Sequence, residues 1–200
     1  MSKLGTDIET ELGFLQAIEK GEVISQMSLA KRLRISVGLV NALVKRAAKK
    51  GYVKARSAPA KRYAYYLTTE GFTQKAKLVS EYIDTSLDFF RNARSQYLSI
   101  FTCEKENGLE YFVLYGSGEL AEIALLAAFE AQVTIVAIVD KQSLNTHIGG
   151  IPRVNDLDDI KDYASIILVE QREPQKAFDE LCCNGRKDIV RVPKMLGVQS

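Results

Sequence analysis

The chain has 200 residues, of which 46% are hydrophobic and 26% are charged. This composition is typical of a globular protein, and no apolar run approaches the roughly 20 residues that span a bilayer, which argues against a membrane protein. The N-terminus lacks the apolar core of a signal peptide. Three cysteines, two of them adjacent, fit neither a disulfide framework nor a metal site. We therefore expect a cytoplasmic protein that binds no metal.

The small formal net charge of +2 hides an uneven distribution along the chain. Residues 1–80 contain 15 Lys and Arg against 6 Asp and Glu, a net of +9. Residues 81–200 contain 12 against 19, a net of −7. A basic front half joined to an acidic back half indicates a polyanionic partner for the front half only.

The first 70 residues read as three helices followed by two strands. Apolar spacing predicts a helix over 7–20, and Ser25 and Ser36 can each cap a further helix. The third helix, over 37–50, is expected to turn five apolar side chains inward: Leu39, Val40, Leu43, Val44 and Ala47. Two β-rich runs, 52–56 and 62–67, flank a basic tip and predict a hairpin. This order is that of a winged helix-turn-helix domain.

The run SQMSLAKRLRISVGLVNALVKRAAKKGYVKARSAPAKRYAYYLTTEG resembles the MarR-type winged-helix regulators. It is most similar to the group associated with exopolysaccharide gene clusters, which shares a run LAKxLxISxGxVNxxxKxLxxKGxVK…YxLTxxG. The resemblance covers roughly residues 8–85. It implies sequence-specific binding of double-stranded DNA, usually by a homodimer.

Two sets of residues are the predicted DNA contacts. The outward face of the third helix is expected to carry Ser36, Val37, Gly38, Asn41 and Lys45. An asparagine amide can both donate to and accept from an adenine edge. Basic side chains that can meet phosphates are Arg34, Lys45, Arg46, Lys49, Arg56, Lys61 and Arg62. The alternative is that these charges form an ordinary solvated face.

A long helix is predicted from Thr69, as its cap, to about Phe101, because no Gly or Pro occurs after Gly71 until Gly108. Apolar or small residues recur at spacings of three and four: Ala76, Val79, Ile83, Ser86, Phe90, Ala93, Tyr97 and Ile100. Such a seam needs a partner surface. Two partners remain open at this point, the protein's own domains or a second copy of the chain.

Residues 110–140 predict a strand, a glycine turn, a helix, a second strand and an acid, which is the order of a dinucleotide-binding unit. The turn fits GxGxxA, with Gly116 for the tight turn, Gly118 for close approach of a pyrophosphate and Ala121 for close packing. Free N–H groups at the helix start favour an anion. The predicted nucleotide contacts are Gly116, Ser117, Gly118, Glu119, Ala121, Asp140 and Lys141. Asp140 is placed to bind ribose hydroxyls.

The rest of the chain alternates between further strands and helices, including a short helix over 156–163, a buried strand over 165–169 and a last strand over 188–193. The order YGSGELAE, VAIVD, IGGIPRV, LDDI and ASIILVE resembles the small nucleotide-binding Rossmann domains of bacterial polysaccharide biosynthesis. Arg153 stands where that group commonly has valine. The order of a winged helix followed by a Rossmann domain also resembles the Rex-type NADH-sensing repressors, in architecture alone.

The sequence therefore predicts an α+β winged helix-turn-helix domain over 1–68, a long linker or dimerisation helix over 69–107, and an α/β Rossmann-like parallel-sheet domain over 108–200. We expect a DNA-binding transcriptional regulator that senses NAD(H) or a nucleotide-sugar and controls polysaccharide genes. No acid–base pair is apparent, so no catalytic residue is predicted. Two alternatives stay open, an NAD- or nucleotide-sugar-linked enzyme, and a regulator whose Rossmann domain binds only a protein partner. The single histidine, His147, reads as a loop residue.

Overall fold

The computed structural model describes residues 3–19, 23–58, 62–140 and 147–199. The chain forms two compact units, Met1–Leu87 and Asp88–Ser200. A single long helix runs through the boundary and contributes residues to both units. The finer division at residues 68 and 107 stays a prediction.

The first unit is built from helices and a small antiparallel sheet. Its elements are α1 (Lys3–Glu19), β1 (Val23–Ile24), α2 (Gln26–Leu33), α3 (Val37–Lys49), β2 (Val53–Ala58) and β3 (Arg62–Leu67). The strands lie in the order β1-β3-β2, and both pairs are antiparallel. The hairpin and the three helices are confirmed. Strand β1 was not predicted, because two residues are too short to show an alternating pattern.

Two predicted serine caps are present in this unit. The Ser25 hydroxyl accepts a hydrogen bond from the Ser28 amide at 3.1 Å, and the Ser36 hydroxyl accepts one from the Leu39 amide at 3.2 Å. Each cap satisfies one of the free N–H groups at a helix start, which is worth about 1 kcal/mol. Between them the chain turns through Arg34, which has a left-handed φ of 55°. Helices α2 and α3 are therefore joined by a tight, well-defined turn.

One expectation about the buried face of α3 is wrong. Helix α3 buries Val40, Leu43 and Ala47, which follow one another at spacings of three and four. Leu39 was expected to face inward with them, but its side chain is 41% exposed. One residue corresponds to about 100° around a helix, so Leu39 lies off the stripe that begins at Val40.

Helix α4 spans Thr69–Glu106, five residues beyond the predicted end. Its cap is Thr68 and not the expected Thr69, because the Thr68 hydroxyl accepts from the Gly71 amide at 3.0 Å. The same hydroxyl donates to the Gly51 carbonyl at 2.6 Å. A Cβ at Gly71 would lie 2.1 Å from the Tyr52 carbonyl oxygen. The start of α4 is thus packed directly against the backbone that enters the wing.

The second unit is a mixed sheet with helices. After α4 it contains β4 (Tyr111–Tyr115), α5 (Glu119–Ala131), β5 (Thr134–Val139), β6 (His147–Ile148), β7 (Ile151–Val154), β8 (Ser165–Leu168), α6 (Pro174–Cys183) and β9 (Val190–Arg191). The strand order is β6-β7-β5-β4-β8-β9. Every pair is parallel except β6 with β7.

Three expectations for this unit need correction. The sheet is not purely parallel, because the Gly149–Gly150 turn folds β6 back on β7 as an antiparallel edge hairpin. The short helix expected over 156–163 is only a 3₁₀ turn at Leu157–Asp159. The last strand is limited to Val190–Arg191 and is flanked by 3₁₀ turns. Short apolar runs do not reveal how many residues will find a pairing partner.

Apolar side chains of β4 point alternately into two cores. Phe112 and Leu114 belong to a cluster with residues of α4 and α5, whereas Val113 belongs to a cluster with residues of α6. Because successive strand residues point to opposite faces, the two clusters lie on the two faces of the sheet. The α4 residues Tyr97 and Phe101 are fully buried in the first of these clusters.

The apolar seam of α4 therefore has three parts. Val79 packs against the core of the first unit, next to the buried Leu78. Ala93 and Tyr97 are buried in the second unit. Between them, every residue from 82 to 89 is exposed. Packing within the chain therefore covers Val79 and the part of the seam from Phe90 onward, and it leaves residues 82–89 open.

Candidate functional site

The exposed face of α3 is the candidate DNA-reading surface of the first unit. Among the predicted base contacts, Ser36, Val37, Gly38 and Lys45 are exposed, and Asn41 is partly buried. Leu39 and Ala42 are also exposed on this helix and were not among the predicted contacts. An apolar side chain in a major groove can contact a thymine methyl group. Counting positions around the helix would have identified Ala42, because it lies one turn after Gly38.

Basic side chains surround this face. Arg34, Lys45, Arg46, Lys49 and Arg56 are all exposed. Within the part of the chain that the structure describes, none of these five forms an ion pair with a carboxylate. Lys61 lies outside the described residues, as does the side chain of Arg62. Unpaired, exposed cations next to a helix-turn-helix are suited to contact phosphates.

A cleft of about 780 Å³ lies in the second unit at the carboxyl ends of β4, β5 and β8. The chain goes from β4 to β5 on one side of the sheet and later returns to β8 on the other side of β4. In open α/β sheets such a reversal leaves a crevice where ligands bind. The lining residues are Tyr115, Gly116, Ser117, Gly118, Glu119, Val139, Asp140, Glu170, Gln171, Arg172, Glu173, Lys176, Ala177 and Glu180.

The two glycines of the turn, Gly116 and Gly118, differ in what surrounds their α-carbons. Gly116 has a φ of 111°, and a Cβ there would lie 2.5 Å from the Glu170 amide nitrogen. Gly118 has a φ of 94°, but a Cβ there would meet only the Gln171 side-chain nitrogen, at 3.5 Å. Gly116 is therefore required by the neighbouring chain segment, whereas the space beside Gly118 opens toward a movable side chain. Ala121 is fully buried, in agreement with its predicted packing role.

A hydrogen bond joins two of the residues that line the cleft. Gln171 Nε2 donates to Glu119 Oε2 at 2.9 Å. Backbone hydrogen bonding at Glu119 lowers the pKa of its carboxyl, and the bond from Gln171 lowers it further. Glu119 is thus an anionic acceptor at the first position of α5. This Gln171–Glu119 bond lies beside the open space at Gly118.

The predicted ribose acceptor, Asp140, is held by two partners. Its Oδ2 atom accepts hydrogen bonds from the Ser117 hydroxyl and from Arg153 Nη2. The side chains of Arg153 and Asp140 are only 4% and 14% exposed. Arg153 was not a predicted site residue. The signal that could have identified it is that an arginine stands where the resembled group commonly has valine. Lys141, the last predicted nucleotide contact, lies outside the described residues.

The remaining cleft side chains are mostly acidic. Glu170 accepts from the backbone amide of Arg172 at 2.7 Å, and Glu173 pairs with Lys176 at 3.2 Å. The Tyr115 hydroxyl donates to Glu180 at 3.4 Å. Burial raises the pKa of Tyr115, and the charge of Glu180 raises it further. Five carboxylates and only two basic side chains, Arg172 and Lys176, line the cleft, so its side-chain charge is predominantly negative.

Other polar residues singled out in the sequence lie elsewhere. His147 is exposed in β6 and is not among the residues lining the cleft. Cys103 and Cys183 are exposed, and Cys182 is partly buried. Among the described residues, no helix is both long enough and apolar enough to span a membrane.

Comparison with known proteins supports the assignment of the first unit. Residues 9–54 match the family described as winged helix-turn-helix DNA-binding. This match begins in α1 and ends in β2, so it contains α2, the turn and α3. The N-terminal part of the chain is therefore a winged helix-turn-helix DNA-binding domain. No curated protein matches the chain.

Solved structures give weak similarities. MepR, a transcription regulator of the Staphylococcus aureus multidrug efflux pump MepA, is 20% identical over 42% of this chain and 61% of its own, with a TM-score of 0.35. PigF with SAH is 14% identical over 96% of this chain and 56% of its own, with a TM-score of 0.26. The riboflavin-derivative dimethyltransferase RosA from Streptomyces davawensis is 11% identical over 94% of this chain and 62% of its own, with a TM-score of 0.26. In each case the chain spans less than two thirds of the matched structure. Similarities at these TM-scores support no functional argument.

Proposed function

We propose that the protein is a transcriptional regulator in which the first unit binds duplex DNA and the second, a Rossmann-like unit, binds a nucleotide in its cleft. The observation that carries the nucleotide part is the position of the cleft. It lies where the strand order reverses, at the carboxyl ends of β4, β5 and β8, beside the glycine turn. That is the general ligand position in sheets of this type.

The DNA-binding part rests on the helix-turn-helix match and on the charges around α3. The exposed lysine and arginine side chains of this unit are available to contact DNA phosphates, and residues 1–80 have a net charge of +9. Phosphate contacts supply affinity without sequence information, whereas residues on the outward face of α3 would read base edges. Regulation of polysaccharide genes is proposed only from the resemblance of the two sequence segments described above.

For the ligand, we propose NAD(H) or a nucleotide-sugar. The carboxylate of Asp140 is positioned by Ser117 and Arg153 and would accept hydrogen bonds from a ribose. Phosphate groups would lie over Gly118, at the N-terminus of α5. The acidic lining of the cleft favours a ligand whose negative charge is confined to that one place.

A homodimer is the proposed assembly. Tyr82, Ile83, Leu87 and Phe89 are 43–50% exposed on the middle of α4. At about 100° per residue these four side chains fall within one half of the helix circumference, while Glu81, Asp84 and Asp88 lie on the other half. An apolar stripe of this kind is suited to a second copy of the same helix.

A second candidate is a regulator whose cleft binds no nucleotide. Gly116 is explained by its contact with Glu170, and the Gln171–Glu119 bond occupies the space in front of Gly118. These contacts would also be expected in a Rossmann-like scaffold that serves only as a protein-binding module. An enzyme is the less favoured possibility, because a DNA-binding domain is needed by a regulator and not by a catalyst.

Thermal unfolding and calorimetric titration test the ligand directly. NADH, NAD⁺, ADP-ribose, UDP-glucose and GDP-mannose would each be added to the wild-type chain and to the Gly118→Asp variant. Stabilisation of the wild type by one of them, absent in the variant, supports the proposal, because binding to the native state alone raises stability. If no nucleotide stabilises either protein, the ligand-free regulator is favoured. Turnover of any of the compounds would favour an enzyme.

A further inference from the structure

Tyr97 of α4 contacts the end of strand β8, next to the cleft. Its side chain is fully buried, and its hydroxyl donates to the Leu168 carbonyl at 3.2 Å. Burial raises the pKa of Tyr97 above its usual value, so the hydroxyl stays protonated and remains a donor. Leu168 is the last residue of β8, and the segment that follows it lines the cleft. A helix residue thus holds the strand at the point where the cleft begins.

The backbone after Leu168 is closely connected to the glycine turn. The Val169 amide donates to the Tyr115 carbonyl at 2.9 Å, and Glu170 packs against the bare α-carbon of Gly116. The next residue, Gln171, bonds to Glu119. Breaking or forming the Gln171–Glu119 bond therefore acts on residues 169–171. Because these residues are held against Tyr115 and Gly116, a displacement at Gln171 reaches Leu168. Tightly packed backbone transmits such shifts because it cannot deform continuously.

Helix α4 is attached to β8 at two places. Tyr97 bonds to Leu168 at the cleft end, and Glu104 accepts from the Ser165 hydroxyl at 2.9 Å at the other end. Seven helical residues rise by about 10 Å, and three strand residues also rise by about 10 Å. The helix therefore runs antiparallel along β8, with the two bonds in matching register. The Tyr97 bond is the one next to the cleft.

The same helix is part of the core of the first unit. Leu78 is 4% exposed and packs with residues of the helix-turn-helix domain, and Gly71 contacts the backbone of Tyr52. No Gly or Pro interrupts the helix from Phe72 to Glu106. One uninterrupted helix therefore contributes buried side chains to both cores, Leu78 to the first and Tyr97 to the second.

We propose that the Tyr97–Leu168 hydrogen bond transmits the state of the cleft to helix α4 and so alters DNA affinity. This inference rests on the proposed function, in which the cleft is the sensing site. Tyr97 is a positioning residue that does not touch the ligand. The two states are a cleft with the Gln171–Glu119 bond made and a cleft with it broken, and a ligand would shift the balance by favouring one of them.

A double-mutant cycle tests the proposal without knowledge of the ligand. Wild type, Gln171→Ala, Tyr97→Phe and the double variant would be titrated as full chains against duplex DNA selected by the wild type from a random-sequence pool. Gln171→Ala breaks the cleft bond and is expected to change the Kd about five-fold in the wild-type background, at the lower end of the usual range for coupling between two sites. In the Tyr97→Phe background the change should fall below about two-fold.

A matched control uses the other attachment of α4. Ser165→Ala removes the buried bond to Glu104 but leaves Tyr97 in place, so Gln171→Ala should keep its full effect in that background. An equal effect of Gln171→Ala with and without the Tyr97 hydroxyl would overturn the proposal. So would the absence of any effect in the wild-type background.

Hydrogen exchange provides a second measurement that needs neither DNA nor a substitution at Tyr97. Comparison of wild type with Gln171→Ala should show faster exchange of amides around residues 97–101 and unchanged exchange around residues 103–106. If wild type and Gln171→Ala exchange at the same rate in both segments, the coupling is contradicted. This result does not depend on whether Tyr97→Phe folds. These experiments contain no nucleotide ligand, so they test the coupling through Tyr97 even if the cleft binds no nucleotide. Failure of the coupling can therefore be distinguished from failure of the proposed nucleotide binding.

Discussion

The carboxylate of Asp140 at the end of β5 is paired with the guanidinium of Arg153 on the neighbouring strand β7, and both side chains are nearly inaccessible to water. The Ser117 hydroxyl lies 3.3 Å from Arg153 Nη2 and donates to the same carboxylate. Three segments of the second unit therefore meet at one buried charge pair. The pair orients the acid that is proposed to bind a ribose, and it also connects the glycine turn to β7.

Replacement of Arg153 by Leu should destabilise the protein, because it leaves the Asp140 carboxylate buried without its cation. Breaking such a pair from one side costs about 3–5 kcal/mol. Urea denaturation followed by circular dichroism would measure the loss of unfolding free energy. The double variant Asp140→Asn/Arg153→Leu should recover part of it, since the buried charge is gone. A double variant no more stable than Arg153→Leu alone would contradict this account.

Gly116→Ala should be more damaging than other substitutions of glycines with positive φ. Its new Cβ would lie 2.5 Å from the Glu170 amide, in addition to the strain of a φ of 111°. Gly185→Ala is the matched control, because Gly185 has a φ of 72° and open space around it. Strain alone costs about 1–3 kcal/mol, or several degrees in Tm for a chain of this size. Thermal unfolding should therefore show a clearly larger loss for Gly116→Ala than for Gly185→Ala, and equal losses would refute the close-contact explanation.

Charge removal on α3 should weaken DNA binding in a salt-dependent way. Lys45→Ala and Arg46→Ala each remove an exposed cation, and each lost phosphate contact should reduce the slope of log K against log salt by about 0.9. Lys77→Ala is the control, since Lys77 is also an exposed cation, but it lies on α4 and pairs with Glu81. Fluorescence anisotropy at several salt concentrations makes the comparison. If Lys77→Ala weakens binding as strongly as Lys45→Ala, the basic residues act only through overall charge.

Asn41→Ala should change sequence preference more than overall affinity. A bidentate contact from an asparagine to an adenine discriminates against other bases by about 1–3 kcal/mol. Selection of DNA sequences by wild type and variant would show a relaxed preference at one position of the bound site. An unchanged preference would mean that the partly buried Asn41 side chain stays within the domain and does not reach a base.

Acidic substitutions in the exposed middle of α4 should convert the proposed dimer to a monomer. Ile83→Asp and Leu87→Asp place a charge in the apolar stripe, where a partner helix would have to bury it. Asp84→Lys alters charge on the opposite side of the helix and should leave the assembly intact. Sedimentation velocity measures the mass of each protein. A wild-type monomer, or dimers in all variants, would rule out this stripe as the dimer interface.

Local patterns were sufficient for much of this architecture. The serine caps, the spacing of Val40, Leu43 and Ala47, and the order of strand, glycine turn and helix all depend on residues within a few positions of one another. The strand β1 and the antiparallel β6–β7 hairpin were missed, because two-residue strands exist only through the partner to which they hydrogen-bond.

Tertiary structure decided the features that join distant segments. Composition and periodicity established a basic helix-turn-helix, a long helix and a glycine turn followed by an acid. They did not reveal that Arg153 neutralises Asp140, that Glu170 is the reason for Gly116, or that Tyr97 binds the end of β8. Each of these contacts joins residues on different elements, up to 71 positions apart, and such contacts form only when the sheet order and the path of α4 bring the residues together.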